Sequence, residues 1–271
     1  MFSKKLLIGL IFLGLVGSGC NKYQKLLKSG DNEAKYAAAM DLYEDQDYYR
    51  ALQLFQQLLT FYQGTEQGQK MQFYYAYCYY YERDYILASY YFKRFSSTYP
   101  RSEMAEEALF MSAYCYFLDS PRSSLDQTNT ITAINELQLF MEMFPYSERV
   151  EKSQGLIAEL QLKLEKKDID VADLYYKMED YEAAITSYKN ILKDYPDTEK
   201  KEDILFRVFK SYYFFATKSI TAKQAERYQS ALDSYNDLVY TFPETQYLRE
   251  AKNIQQSILK RLGTVDVSQN N

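Results

Sequence analysis

One spacing recurs down this chain in fixed register: an alanine, a large apolar residue four places on, an aromatic seven places further, then proline. It reads ASYYFKRFSSTYP at Ala88–Pro100, AINELQLFMEMFP at Ala133–Pro145, AITSYKNILKDYP at Ala184–Pro196 and ALDSYNDLVYTFP at Ala231–Pro243. The first large residue is aromatic in three of these copies and Leu137 in the other. A fifth copy, ALQLFQQLLTFYQ at Ala51–Gln63, keeps the register but has lost the proline. Such self-similarity marks a stacked solenoid, in which each unit hides its apolar face only against its neighbours. A stack of this kind offers an extended binding surface rather than an enclosed catalytic pocket.

Apolar residues recur at three- and four-residue intervals after residue 33 without sustained alternation, so the chain reads as all-helical. Proline removes an amide and pushes the preceding residue out of the α region, so each aromatic-Pro pair stops a helix. Arg101-Ser102-Glu103, Asp197-Thr198-Glu199 and Glu244-Thr245 then offer caps for the next one. Asp47-Tyr48, Asp84-Tyr85 and Asp180-Tyr181 stand just before the repeat alanines. There the Asp can bond nearby amides, and the Tyr can plug the gap between paired helices. Ala39, Ala76 and Ala172, each twelve residues before a repeat alanine, let the two backbones of a hairpin approach closely.

The repeat alanines are 37, 45, 51 and 47 residues apart, so surplus length has to be placed. A polar loop, Asp119 to Thr130, interrupts the third unit; an apolar-periodic stretch, Glu148 to Lys166, adds a helix after it. Ala216 to Glu226 lengthens the fifth hairpin, Thr245 to Leu262 closes the array, and 263–271 reads as a flexible tail.

With no histidine, the chain lacks the usual general base, the usual partner of a nucleophile and the commonest metal ligand. Its nine glycines are scattered, so no phosphate-cradling loop is present. The expectation is no catalytic residue, no metal and no cofactor. A net charge of −5 with interspersed signs leaves no basic stripe for nucleic acid. Cys78 and Cys115 occupy matching strings one repeat apart, about 10 Å on stacked helices, which exceeds the roughly 7 Å reach of a disulfide. They read as buried small side chains.

Residues 1–19 form a secretory signal: Lys4 and Lys5, an apolar run from Leu6 to Val16, and Gly17-Ser18-Gly19. Cys20 directly afterwards resembles the lipobox cysteine of bacterial lipoproteins, with Gly17 where Leu is usual. Residues 20–32 would then be a lipidated linker. Acyl chains there would hold the body on a membrane at about 0.8 kcal/mol per buried methylene. By resemblance to Gram-negative lipoprotein sorting, Asn21, where aspartate would retain the chain at the inner membrane, directs it to the outer membrane, facing the periplasm.

Small residue, Asp-Tyr, Ala-x3-aromatic, then Pro resembles the tetratricopeptide repeat over residues 33–260. The fold class expected is an all-α tetratricopeptide-repeat superhelix of about five helical hairpins plus extra and capping helices. Repeats one to three would occupy 33–145, and repeats four and five, with connecting and capping helices, 146–262. In that family the inner helices line a concave groove. The resemblance assigns to it Tyr36, Met40 and Tyr43, then Phe73, Tyr77 and Tyr80, then Phe110, Tyr114 and Phe117. The same nine rings and side chains at helical spacing could instead be core. On the groove reading, replacing Tyr77 and Tyr114 by Ala weakens peptide binding and spares stability.

DVADLYYKMEDYEAAITSYKNILKDYPDT (Asp170–Thr198) and SEMAEEALFMSAYCYF (Ser102–Phe117) are similar to segments of the BamD family of β-barrel assembly lipoproteins. That resemblance implies a non-enzymatic scaffold at the outer membrane. Its C-terminal repeats would dock the periplasmic domains of a BamA-like barrel protein, and its N-terminal groove would receive unfolded outer-membrane proteins. Other repeat-built adaptor lipoproteins, coordinating peptidoglycan enzymes or transporters or binding glycans, remain the alternative.

Overall fold

Helix pairs stand where the repeat places them. The computed structural model describes residues 22–269; the expected signal segment and Cys20 lie outside the described residues. After a short helical stretch at 22–27 come α1 (Asn32–Glu44), α2 (Tyr48–Leu58), α3 (Glu66–Tyr81), α4 (Tyr85–Thr98), α5 (Ala105–Asp119) and α6 (Thr128–Met143). They are followed by α7 (Val150–Lys177), α8 (Tyr181–Asp194), α9 (Lys201–Thr217), α10 (Thr221–Thr241) and α11 (Leu248–Gln269). No strand occurs among the described residues. The chain divides into two compact units between Leu160 and Gln161, inside α7. In the first unit α1 to α6 pack in chain order, each on the next; in the second α8 packs on α9, α9 on α10, and α11 closes against α10. The later part of α7 joins α8 through a buried cluster holding Ala172, Ala184 and Tyr188.

The repeat residues are the core. Ala51, Ala88, Ala133, Ala184 and Ala231 are fully buried, and so are Ala39, Ala76 and Ala172. Phe55, Phe92, Leu137 and Tyr188, four places after their alanines, are also fully buried. Removing a side chain of that size from water contributes about 1.5–3 kcal/mol. The small residue sets how close two helices come, and the large one fills the space between packed helices.

The turn inside each hairpin is tighter than the Asp-Tyr signal shows. Asp47, Asp84 and Asp180 cap the next helix, accepting at 3.2 Å from the amides of Arg50, Leu87 and Ala183. The residue before each aspartate is left-handed, with φ of 63° at Gln46, 63° at Arg83 and 64° at Glu179. Their amides donate to Tyr43, Tyr80 and Tyr176, and the aspartate amides to Leu42, Tyr79 and Tyr175. This is a Schellman closure made without glycine. A side chain in that region costs about 1–2 kcal/mol. Arg83→Gly, at an exposed position, is therefore expected to stabilise the chain by about 0.5–1 kcal/mol once the greater freedom of glycine in the unfolded chain is included. A thermal melt checks this, and a midpoint that stays put or falls would refute it. Two of the tyrosines that follow the aspartates reach beyond their own hairpin, Tyr48 stacking on Tyr81 at 4.4 Å and Tyr181 on Phe214 at 5.4 Å, while Tyr85 meets Tyr80 of its own hairpin at 6.0 Å.

The turns between hairpins correct the expected caps. Ser102, Thr198 and Thr245 do not cap the helices themselves. Each sits two residues after the proline, with its amide donating to the aromatic before the proline, Tyr99, Tyr195 or Phe242. Its hydroxyl oxygen accepts from the amide two residues on, Met104 at 3.2 Å, Lys200 at 3.0 Å and Tyr247 at 3.3 Å. Ser147 repeats the arrangement with Phe144 and Arg149. The motif is thus aromatic-Pro-x-Ser/Thr, a β-turn with proline in its favoured second place. The same turns reach back to the preceding inner helix. Gln69 Nε2 donates to Ser102 Oγ at 2.5 Å, Ser147 Oγ donates to Glu106 Oε1 at 2.6 Å, and Thr198 Oγ1 donates to Glu165. At the last turn the Gln246 amide donates to Glu202 Oε1 at 2.9 Å and the Tyr247 hydroxyl to Asp203.

Where repeat one lacks the proline, Gly64 turns the chain at φ 80° and Thr65 caps α3. Gly68 then passes so close to the Tyr62 carbonyl that a Cβ would lie 1.9 Å from its oxygen. The insertion in the third unit is an ordered loop, since the buried Gln127 amide donates to the carbonyls of Arg122 and Leu125 at 2.9 and 3.1 Å. The closing helix α11 runs to Gln269, past Leu262. A lone Gly263 weakens a helix by about 1 kcal/mol and does not end it.

Candidate functional site

The nine residues assigned to the groove all belong to the first unit, on α1, α3 and α5, and the structure separates them into two kinds. Phe73 and Phe110 are buried. Phe73 lies 5.3 Å from the Phe95 ring, and Phe110 lies 5.4 Å from Phe140. They are core, covered by the outer helix of their own hairpin, and do not line an open surface. Tyr36, Met40, Tyr43, Tyr77, Tyr80, Tyr114 and Phe117 are half-buried, with part of each side chain facing solvent.

On α1, Tyr36 lies 5.4 Å from Tyr62, while Tyr43 meets Tyr74 at 4.6 Å and Tyr48 at 5.5 Å. On α3, Tyr77 stands edge-on to Phe92 at 4.8 Å and parallel to Tyr81 at 5.9 Å, and its hydroxyl donates to Glu107 on α5. Burial, reinforced by that carboxylate, pushes the Tyr77 hydroxyl well above the ordinary tyrosine range. Burial also raises Tyr43 and Tyr80. These hydroxyls stay protonated at neutral pH and serve as hydrogen-bond donors, not as bases.

On α5 the rings form a ladder. Phe110, Tyr114 and Phe117 are parallel, with centroids 5.8 Å apart at each step and interplanar angles of 12° and 9°. Lys152 Nζ lies 4.7 Å from the Tyr114 centroid and 5.2 Å from that of Phe110; the Arg149 guanidinium is 5.7 Å from Phe110. Arg149 also pairs with Glu106 and Glu107 at 3.2 and 3.4 Å. Cation–π contacts of this kind contribute about 0.5–1 kcal/mol at exposed sites. The sequence reading missed Arg149 and Lys152 because they come from beyond the third hairpin, Arg149 from the turn before α7 and Lys152 from its first turn. Beside Tyr36 opens a cleft of about 1090 Å³, lined also by Lys70, Tyr99, Arg101 and Glu103.

The remaining polar groups perform structural work. Cys78 and Cys115 are free and buried, and burial alone pushes the Cys115 thiol up to about 12. No cluster of metal-ligating residues occurs among the described residues. In the second unit the buried Tyr188 hydroxyl donates to Asp173 at 2.5 Å, and Arg207 holds the same carboxylate at 2.9 Å. Burial first, then Asp173, raises Tyr188 far above an unfolded tyrosine, which titrates near pH 10. Since the folded value is the higher one, the stabilisation is complete below about pH 10 and is lost as pH rises beyond it. The loss approaches about 1.4 kcal/mol per pH unit for each such tyrosine. Melting at pH 9 and 11, followed by tyrosinate absorbance, is expected to show a lower midpoint at pH 11; equal midpoints would contradict it.

No described helix is long and apolar enough to cross a membrane. A search of curated proteins found no significant match. Solved structures that the chain resembles include the tetratricopeptide domain of P58(IPK), 16% identical with a TM-score of 0.41, covering 88% of this chain and 68% of that one. Another is the TPR2AB domain of yeast Sti1 in complex with pHSP90, 13% identical, TM-score 0.40, covering 84% and 98%. The yeast histone chaperone Hif1 is 15% identical with a TM-score of 0.28, covering 91% and 97%. Residues 28–227 match the family described as YfiO, outer membrane lipoprotein, a span that reaches into both units and includes the ladder on α5 and the interrupted third hairpin. The chain therefore belongs to the YfiO family, the BamD-like outer membrane lipoproteins built from tetratricopeptide repeats.

Proposed function

We propose that this lipoprotein is a non-enzymatic scaffold of outer-membrane β-barrel assembly, anchored through Cys20 and facing the periplasm. Its first unit receives aromatic-rich segments of unfolded outer-membrane proteins, and its second docks the periplasmic domains of a BamA-like barrel protein. The observation that carries this reading is the ladder of Phe110, Tyr114 and Phe117, in which Tyr114 and Phe117 keep solvent-facing surface and Lys152 stands over Tyr114. A row of half-buried rings with a cation at its edge suits an extended segment that brings its own aromatics and a carboxylate. Family membership supports the location.

In the second unit, Val171, Leu174 and Tyr175 on α7, with Met178 just beyond, form an exposed apolar stripe at helical spacing; Leu174 is 54% and Met178 66% exposed. Such a stripe suits a partner better than water. Affinity purification of the native lipoprotein is expected to recover a barrel protein with periplasmic domains, and Leu174→Asp to reduce that recovery roughly tenfold, as for a central contact residue. Recovery of a transporter or a peptidoglycan enzyme instead would favour the other adaptor reading. Depletion that leaves outer-membrane proteins normally inserted would refute the assembly role.

A further inference from the structure

The segment ahead of α1 is not a slack tether. Residues 22–27 are helical, and Tyr23, Leu26 and Leu27 pack against the core of the first hairpin. The Tyr23 hydroxyl is within donating distance of the Arg50 carbonyl, 3.1 Å, and of Gln53 Oε1, 3.0 Å, while the Arg50 guanidinium lies 5.4 Å from its ring centroid. Asp47 holds Arg50 from the other side, with Nε to Oδ2 at 2.6 Å. Ser29 Oγ donates to the Leu26 carbonyl at 2.8 Å and accepts from the Asp31 amide at 3.3 Å, which ties the segment to the start of α1.

At 100° per residue, Lys25 falls on the side away from Tyr23 and Leu27, Lys22 lies at the flank of the packed face, and Lys28 follows in the turn after the helical stretch. All three are exposed, and the ion pairs among the described residues include none of them. Tyr49, next to Arg50 on α2, is 63% exposed, and an amphipathic ring of this kind favours a membrane–water interface. Cys20 lies two residues before Lys22, so the chain's reach confines its Cα to about 7 Å from that of Lys22. The helical stretch is itself only about 9 Å long. The basic face therefore stands within roughly two Debye lengths of the cysteine.

We propose that Lys22, Lys25 and Lys28 form a contact surface for the phosphates of anionic phospholipids. The docked segment passes this contact to the first hairpin and so fixes which side of that hairpin meets the bilayer. The proposal rests on the reading that Cys20 carries the acyl anchor. A polybasic face beside a lipid anchor supplies a second membrane signal, with each lysine worth about a fivefold gain in binding.

The test uses the full mature chain with Cys20→Ser, so that acyl partitioning does not mask the lysines, and vesicles of phosphatidylcholine with a third phosphatidylglycerol. Co-sedimentation at low salt is expected to weaken about 100-fold in the Lys22→Gln, Lys25→Gln, Lys28→Gln triple variant, which melts like the parent because all three side chains are exposed. Equal binding by parent and variant, or equal binding to vesicles without phosphatidylglycerol, overturns the headgroup contact. On the acylated chain, a fluorophore at Tyr49→Cys is expected to be quenched by a headgroup nitroxide, and to escape quenching in the triple variant; unchanged quenching overturns the fixed orientation. Mass spectrometry of the native N-terminus reads the anchor separately. An unmodified Cys20 with intact vesicle binding overturns the anchored reading and leaves the lysine contact supported.

Discussion

Phe92→Ala is expected to lower stability by about 3–5 kcal/mol, the usual cost of removing a buried aromatic ring. Phe92 is fully buried and contacts Phe73 at 6.1 Å and Tyr77 at 4.8 Å, so its loss opens a cavity under two rings of the inner face. At about 2–4 °C per kcal/mol, the midpoint falls by roughly 6–20 °C. In a stacked array each hairpin is held by its neighbours. Hydrogen exchange should therefore show the loss concentrated in α3 and α4, with α10 and α11 unaffected. Tyr90→Ala, two residues earlier and 55% exposed, serves as the control and should stay within about 0.5 kcal/mol of the parent. A Phe92→Ala midpoint within 2 °C of the parent, or roughly the control's value, would show that the repeat aromatic is not a core residue.

The second large effect is on binding. Replacing Tyr114 and Phe117 together by Ala is expected to weaken capture of peptides ending in aromatic residues at least roughly tenfold, since stacked aromatic pairs contribute about 0.5–1.5 kcal/mol each beyond buried area. Both rings are half-buried and make their ring contacts within α5, so the melt should move little. Tyr77 is not an equivalent probe. Its hydroxyl holds Glu107 and its ring covers Phe92, so Tyr77→Ala removes a contact between hairpins along with any contact to a peptide. Peptide binding that survives the double substitution would remove the ladder from the site, and a collapse of the melt would assign it to the core.

The repeat was legible because its residues do one job each. Ala88 can only be a close-approach position and Phe92 only a filler, and both are fully buried. The aspartates of the hairpin turns were legible for the same reason. The left-handed positions before them were not, because Gln46, Arg83 and Glu179 share no chemistry that marks them. The aromatic-Pro-x-Ser/Thr turn is visible in four copies, three of which read as helix caps from sequence, since an amide two residues on and one three residues on attract the same side chains. The groove was harder. Phe73 and Tyr77, one turn apart on α3, differ in exposure because Phe95 lies against the first, a fact of packing between helices that no single-helix pattern contains. The cations over the ladder, Lys152 on α7 and Arg149 just ahead of it, lie beyond α6 in sequence, and only the fold brings them there.

The proline turns have a mechanical consequence. Their stitches to the preceding inner helix, Ser147 to Glu106, Thr198 to Glu165 and Gln246 to Glu202, are directional hydrogen bonds to carboxylates. The opposite ends of the hairpins meet through rings, Tyr48 on Tyr81 and Tyr181 on Phe214, with one exposed ion pair, Lys218 to Glu179, beside the second, and rings slide past one another at little energetic cost. Within each unit the helices are therefore bound like pages along a spine, and a bend of the stack is expected to open the ring-lined margin before it lengthens the spine. The bonds that hold the spine and the rings that line the margin are thus contributed by different residues, so a change in one set leaves the contacts of the other in place.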